Sequence, residues 1–250
     1  MARTFLALLS LLIAFAACAG DTRKYAVLSL IGDELMLSGA EKTTGGRLDR
    51  NPRKFIEISD PFADKAALLA VHEVVKEKEG SEPVLLFGKD RRLYQTQARM
   101  MAAGENMTGL LTDIRPLLGN TGATHLILIT KHQGEARIKL DNDTIGHGQL
   151  RGIGYYYDPN VWLKVGEDGK TAMGFVAAFA YFNVAMIRLD TGTVIAEQRV
   201  VASSPYTTPN SINAEDVWGG MPATERVRMV RELVGREVRA VIPKLLAESR

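Results

Sequence analysis

One cysteine and four histidines stand in 250 residues, and each shortage removes a class of protein. Cys18 has no second cysteine to join, so the fold holds without an intramolecular disulfide. An excess of either charge is missing too. Lys+Arg 31 against Asp+Glu 29 leaves a net +2, too weak a field to gather a polyanion, so nucleic acid is not an expected partner. Beyond the first twenty residues no apolar run approaches the roughly 20 residues that a membrane-spanning helix requires. His72, His125, His132 and His147 are scattered, whereas a metal centre needs three or four converging ligands. Asp141, Asn142, Asp143 and His147 are close in sequence, but clusters of Asp and Asn make turns. The glycine stretches GNTGATH and GHGQLRGIG lack both a lysine-serine pair and a Gly-x-Gly-x-x-Gly opening a helix, so neither is a phosphate cradle. No catalytic, metal or cofactor constellation is expected.

What is present begins with MARTFLALLSLLIAFAACAGD. A start carrying Arg3, an apolar core from Phe5 to Ala17 and small residues after it make residues 1–20 a secretory signal peptide. Cys18 has two readings. Phe15-Ala16-Ala17-Cys18 resembles a bacterial lipobox, which would acylate the cysteine; Ala17-Cys18-Ala19 equally fits a small-x-small cleavage site that discards it. The expected location is the periplasm, with the protein soluble or tethered to the outer membrane through Cys18.

Residues 21–250 read as a single α/β domain. KYAVLSL and ELMLSG are strands separated by a Gly32-Asp33 break, and FIEISD alternates as a strand does. Asp60-Pro61 starts a helix that Gly80 stops, and DRRLYQTQARMMAAG is a second helix ended by Gly104. PVLLFG and HLILITKH are apolar strands, with a short helix from Leu110 to Leu118 between them. The later chain is an antiparallel meander, with turns at Asp141-Asn142-Asp143, Asp158-Pro159-Asn160, Asp168-Gly169 and Asp190-Thr191-Gly192. Phe175 to Ile187 is its long central strand. PATERVRMVRELVGREVRAVIPKLLAESR is an amphipathic helix with Val227, Val230, Val234, Val238 and Val241 as its stripe, kinked or ended at Pro243. Its arginines alternate with glutamates as a solvated face does. The expectation is helices packed on a mixed sheet that the meander extends, closed by a C-terminal helix.

Three segments in order, KYAVLSL, GATHLILITK and MIRLDTGTVIAEQ, resemble bacterial envelope proteins of one broad fold. The group includes the amino-terminal domain of the Tol translocation protein, the curli-secretion lipoprotein and the lipoprotein activators of penicillin-binding proteins. The resemblance implies an envelope scaffold whose late hairpin closes a sheet edge. It does not extend to a pore, because the segment from Tyr155 to Phe182 has one hairpin with a charged tip. LSLIGDELMLSG is similar to the Gly-Asp-Ser-Leu motif of lipases, but Glu34 occupies the serine position and no histidine follows His147 to act as base.

The function expected from these observations is non-enzymatic: an exported adaptor or assembly protein that binds an envelope protein or a cell-wall component. The alternative is a small-molecule carrier, or an enzyme using Asp33 and Glu34 in a cleft. Tyr155, Tyr156, Tyr157 and Trp162 are the candidate partner surface, since clustered aromatics offer large rigid contact area. They equally fit a strand packing alternate rings into the core, with Tyr156 facing away from Tyr155 and Tyr157.

Overall fold

The computed structural model describes residues 23–40, 51–88, 91–119, 121–140, 143–165, 170–206 and 221–249. The leader, Cys18, the Asp141-Asn142 pair and the Asp168-Gly169 tip lie outside them.

The fold is mixed α/β. The chain runs β1 (Tyr25–Leu30), β2 (Glu34–Gly39), β3 (Arg53–Glu57), α1 (Phe62–Glu79), β4 (Val84–Leu86), α2 (Arg91–Ala103), a 3-10 turn (Met107–Leu110), α3 (Leu111–Leu118) and β5 (His125–Lys131). It continues through three short strands, β6 (Gln133–Glu135), β7 (Ile138–Lys139) and β8 (Thr144–Ile145). The long strands β9 (Gln149–Val165), β10 (Lys170–Arg188) and β11 (Thr193–Tyr206) and the helix α4 (Ala223–Glu248) follow.

β10 organises the sheet. Along one edge it pairs antiparallel with β9 over its first part and with β5 over its last, from Phe182 to Arg188; along the other edge it pairs with β11. The sheet therefore forks, with β9-β2-β3 on one branch and β5-β1-β4 on the other. The Gly32-Asp33 break is where the chain passes between branches, since β1 pairs parallel with β5 and β4, and β2 pairs parallel with β9. As the hairpin reading implied, β11 lies at an edge.

On the β5-β1-β4 branch the connection from β1 to β4 carries α1, and the return from β4 past β1 to β5 carries α2 and α3. Crossovers in opposite directions put their helices on opposite faces. Val27, Ile127, Ile129 and alternate residues of β10 from Val176 to Met186 meet α1 and α4 on one face. Ala26, Leu28, Leu30, Leu126 and Leu128 meet α2 and α3 on the other. Further along that second face, Phe175, Ala177, Phe179 and Tyr181 are covered with Ala136, Ile138 and Leu150. Burial on both faces is why the middle of β10 and residues Leu126–Ile129 of β5 read as apolar runs.

Four expectations change. Asp158-Pro159-Asn160 is no turn: it lies inside β9 opposite a register shift between Met173 and Phe175. The Asp158 side chain satisfies the local backbone there by accepting from the Asn160 N–H at 2.9 Å. In α4, Val227 is 39% exposed and outside the stripe, which Met229, Leu233, Ile242, Leu245 and Leu246 widen beyond the valines. That helix also runs through Pro243 to Glu248, so the proline does not end it. The strand expected over FIEISD is shifted toward Arg53 and lies mostly exposed beside β2.

Candidate functional site

A cleft of about 800 Å³ opens at the carboxyl ends of β1 and β4, between the first turns of α1 and α2. Ligand sites of α/β proteins favour this position because strand ends and helix starts leave a crevice there. Ser29, Asp64 and Tyr94 are buried among its lining residues. Ile58, Pro61, Leu68, Leu86, Phe87 and Ala98 supply apolar walls, and Glu57, Arg91 and Arg151 add charge.

Asp64 fixes the shape of this end of the sheet. Its Oδ1 accepts from the Ser29 hydroxyl at 2.6 Å and the Ile31 N–H at 2.9 Å. Its Oδ2 accepts from the Tyr94 hydroxyl at 2.7 Å and the Gly32 N–H at 3.1 Å. One carboxylate thus joins β1, the β1–β2 break, α1 and α2. Burial pushes the Asp64 carboxyl up to about 6, against the pull of four donors. Tyr94 is pushed upward by burial and by the Asp64 charge beside it. Gly32 is required by space: a Cβ there would lie 2.5 Å from Asp64 Oδ2.

Lys131, at the end of β5, is buried and reaches the same break from the other strand. Its Nζ lies 2.6 Å from Asp33 and 2.8 Å from Glu34, and Arg151 adds a second contact to Glu34 at 2.9 Å. Burial pushes the Glu34 carboxyl up, but Lys131 and Arg151 outweigh it and hold it below the usual carboxylate range. The Lys131 stem runs over Gly152, where a Cβ would approach Lys131 Cδ to 3.2 Å and φ is +66°. Gln97 closes the gap between parallel neighbours, donating to the Leu30 carbonyl at 2.8 Å and accepting from the Lys131 N–H at 2.7 Å. Nearer solvent, Arg91 pairs with Glu57 at 3.0 Å and the Arg151 guanidinium stacks 4.7 Å from the Phe55 ring centre.

The aromatic cluster is placed differently. Tyr155 and Tyr156 are fully buried and offer nothing to a partner. Tyr155 packs toward the α4 side, its hydroxyl donating to the Arg226 carbonyl, and burial pushes that hydroxyl upward. Tyr156 faces the opposite side of the sheet beside Phe175, where burial pushes its hydroxyl up to about 12. Tyr157 is half-buried against the same cluster as Tyr155. The alternation of strand side chains decides this, since β9 is covered on both faces here. The Trp162 side chain lies outside the described part. Asp33 and Glu34, by contrast, do line the cleft. Asp64, Tyr94, Gln97, Lys131 and Arg151 were not anticipated. Asp64 resembles any first-turn helix acid, and only a lysine ending an apolar strand hinted at Lys131.

A smaller groove of about 470 Å³ lies on the face that carries α2 and α3, lined by Thr130, His132, Asn183, Glu197 and Arg199 among others. Burial first, and then the Arg199 charge, hold the His132 imidazole below its ordinary range. Among the described residues no three His, Cys, Asp or Glu side chains converge as a metal site, and no helix is long and apolar enough to cross a membrane.

Fold and site together define a mixed α/β protein with a charge-compensated cleft at the carboxyl ends of parallel strands. No family model matches the chain, and no curated protein matches it. Among solved structures it is similar to a Xanthomonas campestris protein of the DUF330 family model, at 7% identity and a TM-score of 0.39, over 90% of this chain and 84% of that one. A likeness this distant carries no functional argument.

Proposed function

We propose that this chain is an exported, non-enzymatic envelope protein that acts by binding a protein or cell-wall partner, and that the cleft between α1 and α2 is its contact site. The observation that carries this reading is the state of the cleft's acids. Asp33 and Glu34 are held by Lys131 and Arg151, Glu57 by Arg91, and Asp64 by four donors. A general base must be able to take a proton from a substrate within hydrogen-bond reach. Asp64, raised toward a useful range, has both oxygens occupied and would have to release Ser29, Tyr94 or a backbone N–H first. What remains is a recess with apolar walls, which serves recognition.

The carrier reading has one observation in its favour: the cleft volume falls within the ~300–1,000 Å³ of small-molecule sites. A photo-crosslinking residue at exposed Phe87, activated in intact cells, separates the two. A discrete protein or cell-wall adduct, missing when the crosslinker replaces exposed Leu69, is the expected result. No adduct, together with a small molecule co-purifying with the protein, would replace the adaptor with the carrier. Fractionation of the same cells tests export, and the mature mass shows whether Cys18 is acylated or removed.

A further inference from the structure

We propose that the outer edge of β11 pairs antiparallel with the same edge of a second copy of this chain, joining two sheets across a two-fold axis at Gln198. Three strands end this sheet, and they are not alike. β4 has 3 residues, and β3 has 5, two of them Arg53 and Lys54. Short and basic edges resist pairing with another chain. β11 has 14 residues, no lysine, and its one proline, Pro205, next to its end; among the described residues only β10 pairs with it. A row of backbone N–H and C=O groups of that length is a template for a further strand.

The side chains specify which strand. Met186 pairs with Ala196 and Ile187 with Val194, so Ile195 is the extra residue of a bulge, and Val194 takes its place on the face that carries the smaller groove. The exposed row on that face reads Val194, Glu197, Arg199, Val201. Reversed, it reads valine, arginine, glutamate, valine. Antiparallel pairing about Gln198 therefore sets each Glu197 opposite Arg199 of the second copy. It also sets each Val201, 42% exposed, opposite Val194 of the second copy, 37% exposed. Opposite charges and apolar side chains facing each other across strands are stabilising, and like charges are not. The adjacent registers are closed for that reason: moving the axis by one residue either way sets Glu197 opposite Glu197, or Arg199 opposite Arg199. On the α4 face Ala196 meets Val200 and the two Gln198 side chains adjoin, each already donating to Glu248 of its own chain. Two Glu248 carboxylates near the axis oppose association, and one strand from each copy is a small interface, so the pair should dissociate in roughly the micromolar range. The contact uses the same patch on both copies and closes at two. It leaves the cleft open, because no residue of β11 lines it.

The test is sedimentation velocity of the purified protein from roughly micromolar to hundred-micromolar concentration. The expected result is a monomer–dimer equilibrium with nothing larger. Glu197→Arg and Arg199→Glu each set like charges opposite each other twice per dimer, and each should raise the dissociation constant by about ten-fold or more. The chain carrying both substitutions restores opposite charges in reversed order and should dimerise as the original does. Arg231→Glu, exposed on α4, alters the net charge as Arg199→Glu does and should leave association unchanged. In the unaltered chain, amide hydrogen exchange along Ala196–Val201 should slow as concentration rises, while exchange along β3 stays constant. A monomer at every concentration, an assembly larger than two, a dimer that survives both single reversals, a double exchange that does not dimerise, or exchange along β11 that ignores concentration would each overturn the proposal.

Discussion

The two recesses differ in how the chain around them is held. The cleft at the strand ends is braced by Asp64 and Lys131, each joining several elements. The groove below β10 lies on a less covered stretch of sheet, where Asn183 and Arg199 reach solvent beside buried Thr130, between two covered clusters. One is a recess built by buried polar contacts; the other is a gap in the cover of a sheet. If so, substitutions at the first should cost stability, and those at the second should change local titration and little else.

The largest effect is expected at Lys131. Lys131→Met leaves Asp33 without its cation and Glu34 with Arg151 alone, and should cost about 3 kcal/mol or more in urea unfolding, as breaking a buried pair does. Adding Asp33→Asn and Glu34→Gln should recover most of it. A triple variant as unstable as the single one would show that Lys131 acts by packing alone.

Next comes a pH effect from Asp64. Its folded carboxyl, near 6, lies above its ordinary 3.8, so the folded state holds the proton more tightly than the unfolded one. The contribution is therefore most favourable below pH ~4 and falls as pH rises through 6, by about 3 kcal/mol over the window. Asp64→Asn should flatten that slope. At pH 7 it should also cost about 1–3 kcal/mol, because an amide cannot accept from both backbone N–H groups. A slope identical in both proteins would place the titration elsewhere.

Gly32→Ala should cost about 1–3 kcal/mol by forcing a methyl against Asp64, measured by thermal unfolding at a pH where Asp64 is ionised. A neutral result would mean that the β1–β2 break yields easily. The smallest effect belongs to the groove: Arg199→Ala should raise the His132 pKa, followed by NMR, while changing stability by less than about 0.5 kcal/mol. A loss comparable with that at Lys131 would erase the contrast between the two recesses.

Much of the fold was legible in the residues. Alternation and turn chemistry gave β1, β2, β5 and the β10–β11 hairpin; Asp60-Pro61 and Gly80 bounded α1, and the apolar density of Phe175–Ile187 marked a strand buried on both faces. These signals are local, set by backbone preference and side-chain period. Asp158-Pro159-Asn160 misled because the residues that make a turn also make a bulge, and only the partner strand distinguishes them. The tyrosine run was ambiguous for the same reason: its period revealed the alternation of faces, while burial depended on what α4 and the β6–β8 segment placed over each side.

The sequence by itself determined an α/β protein with balanced charge, a helix-strand order that yields parallel and antiparallel pairing, and an acidic Asp33-Glu34 turn between two strands. Only the tertiary structure decided that these acids are neutralised. Lys131 lies 97 residues from Glu34 and Arg151 lies 117 away, and Asp64 meets Tyr94 across 30. Ion pairing and desolvation depend on distance in space, which no spacing along the chain encodes, so what the cleft can accept emerges only when the sheet forks and its strand ends meet.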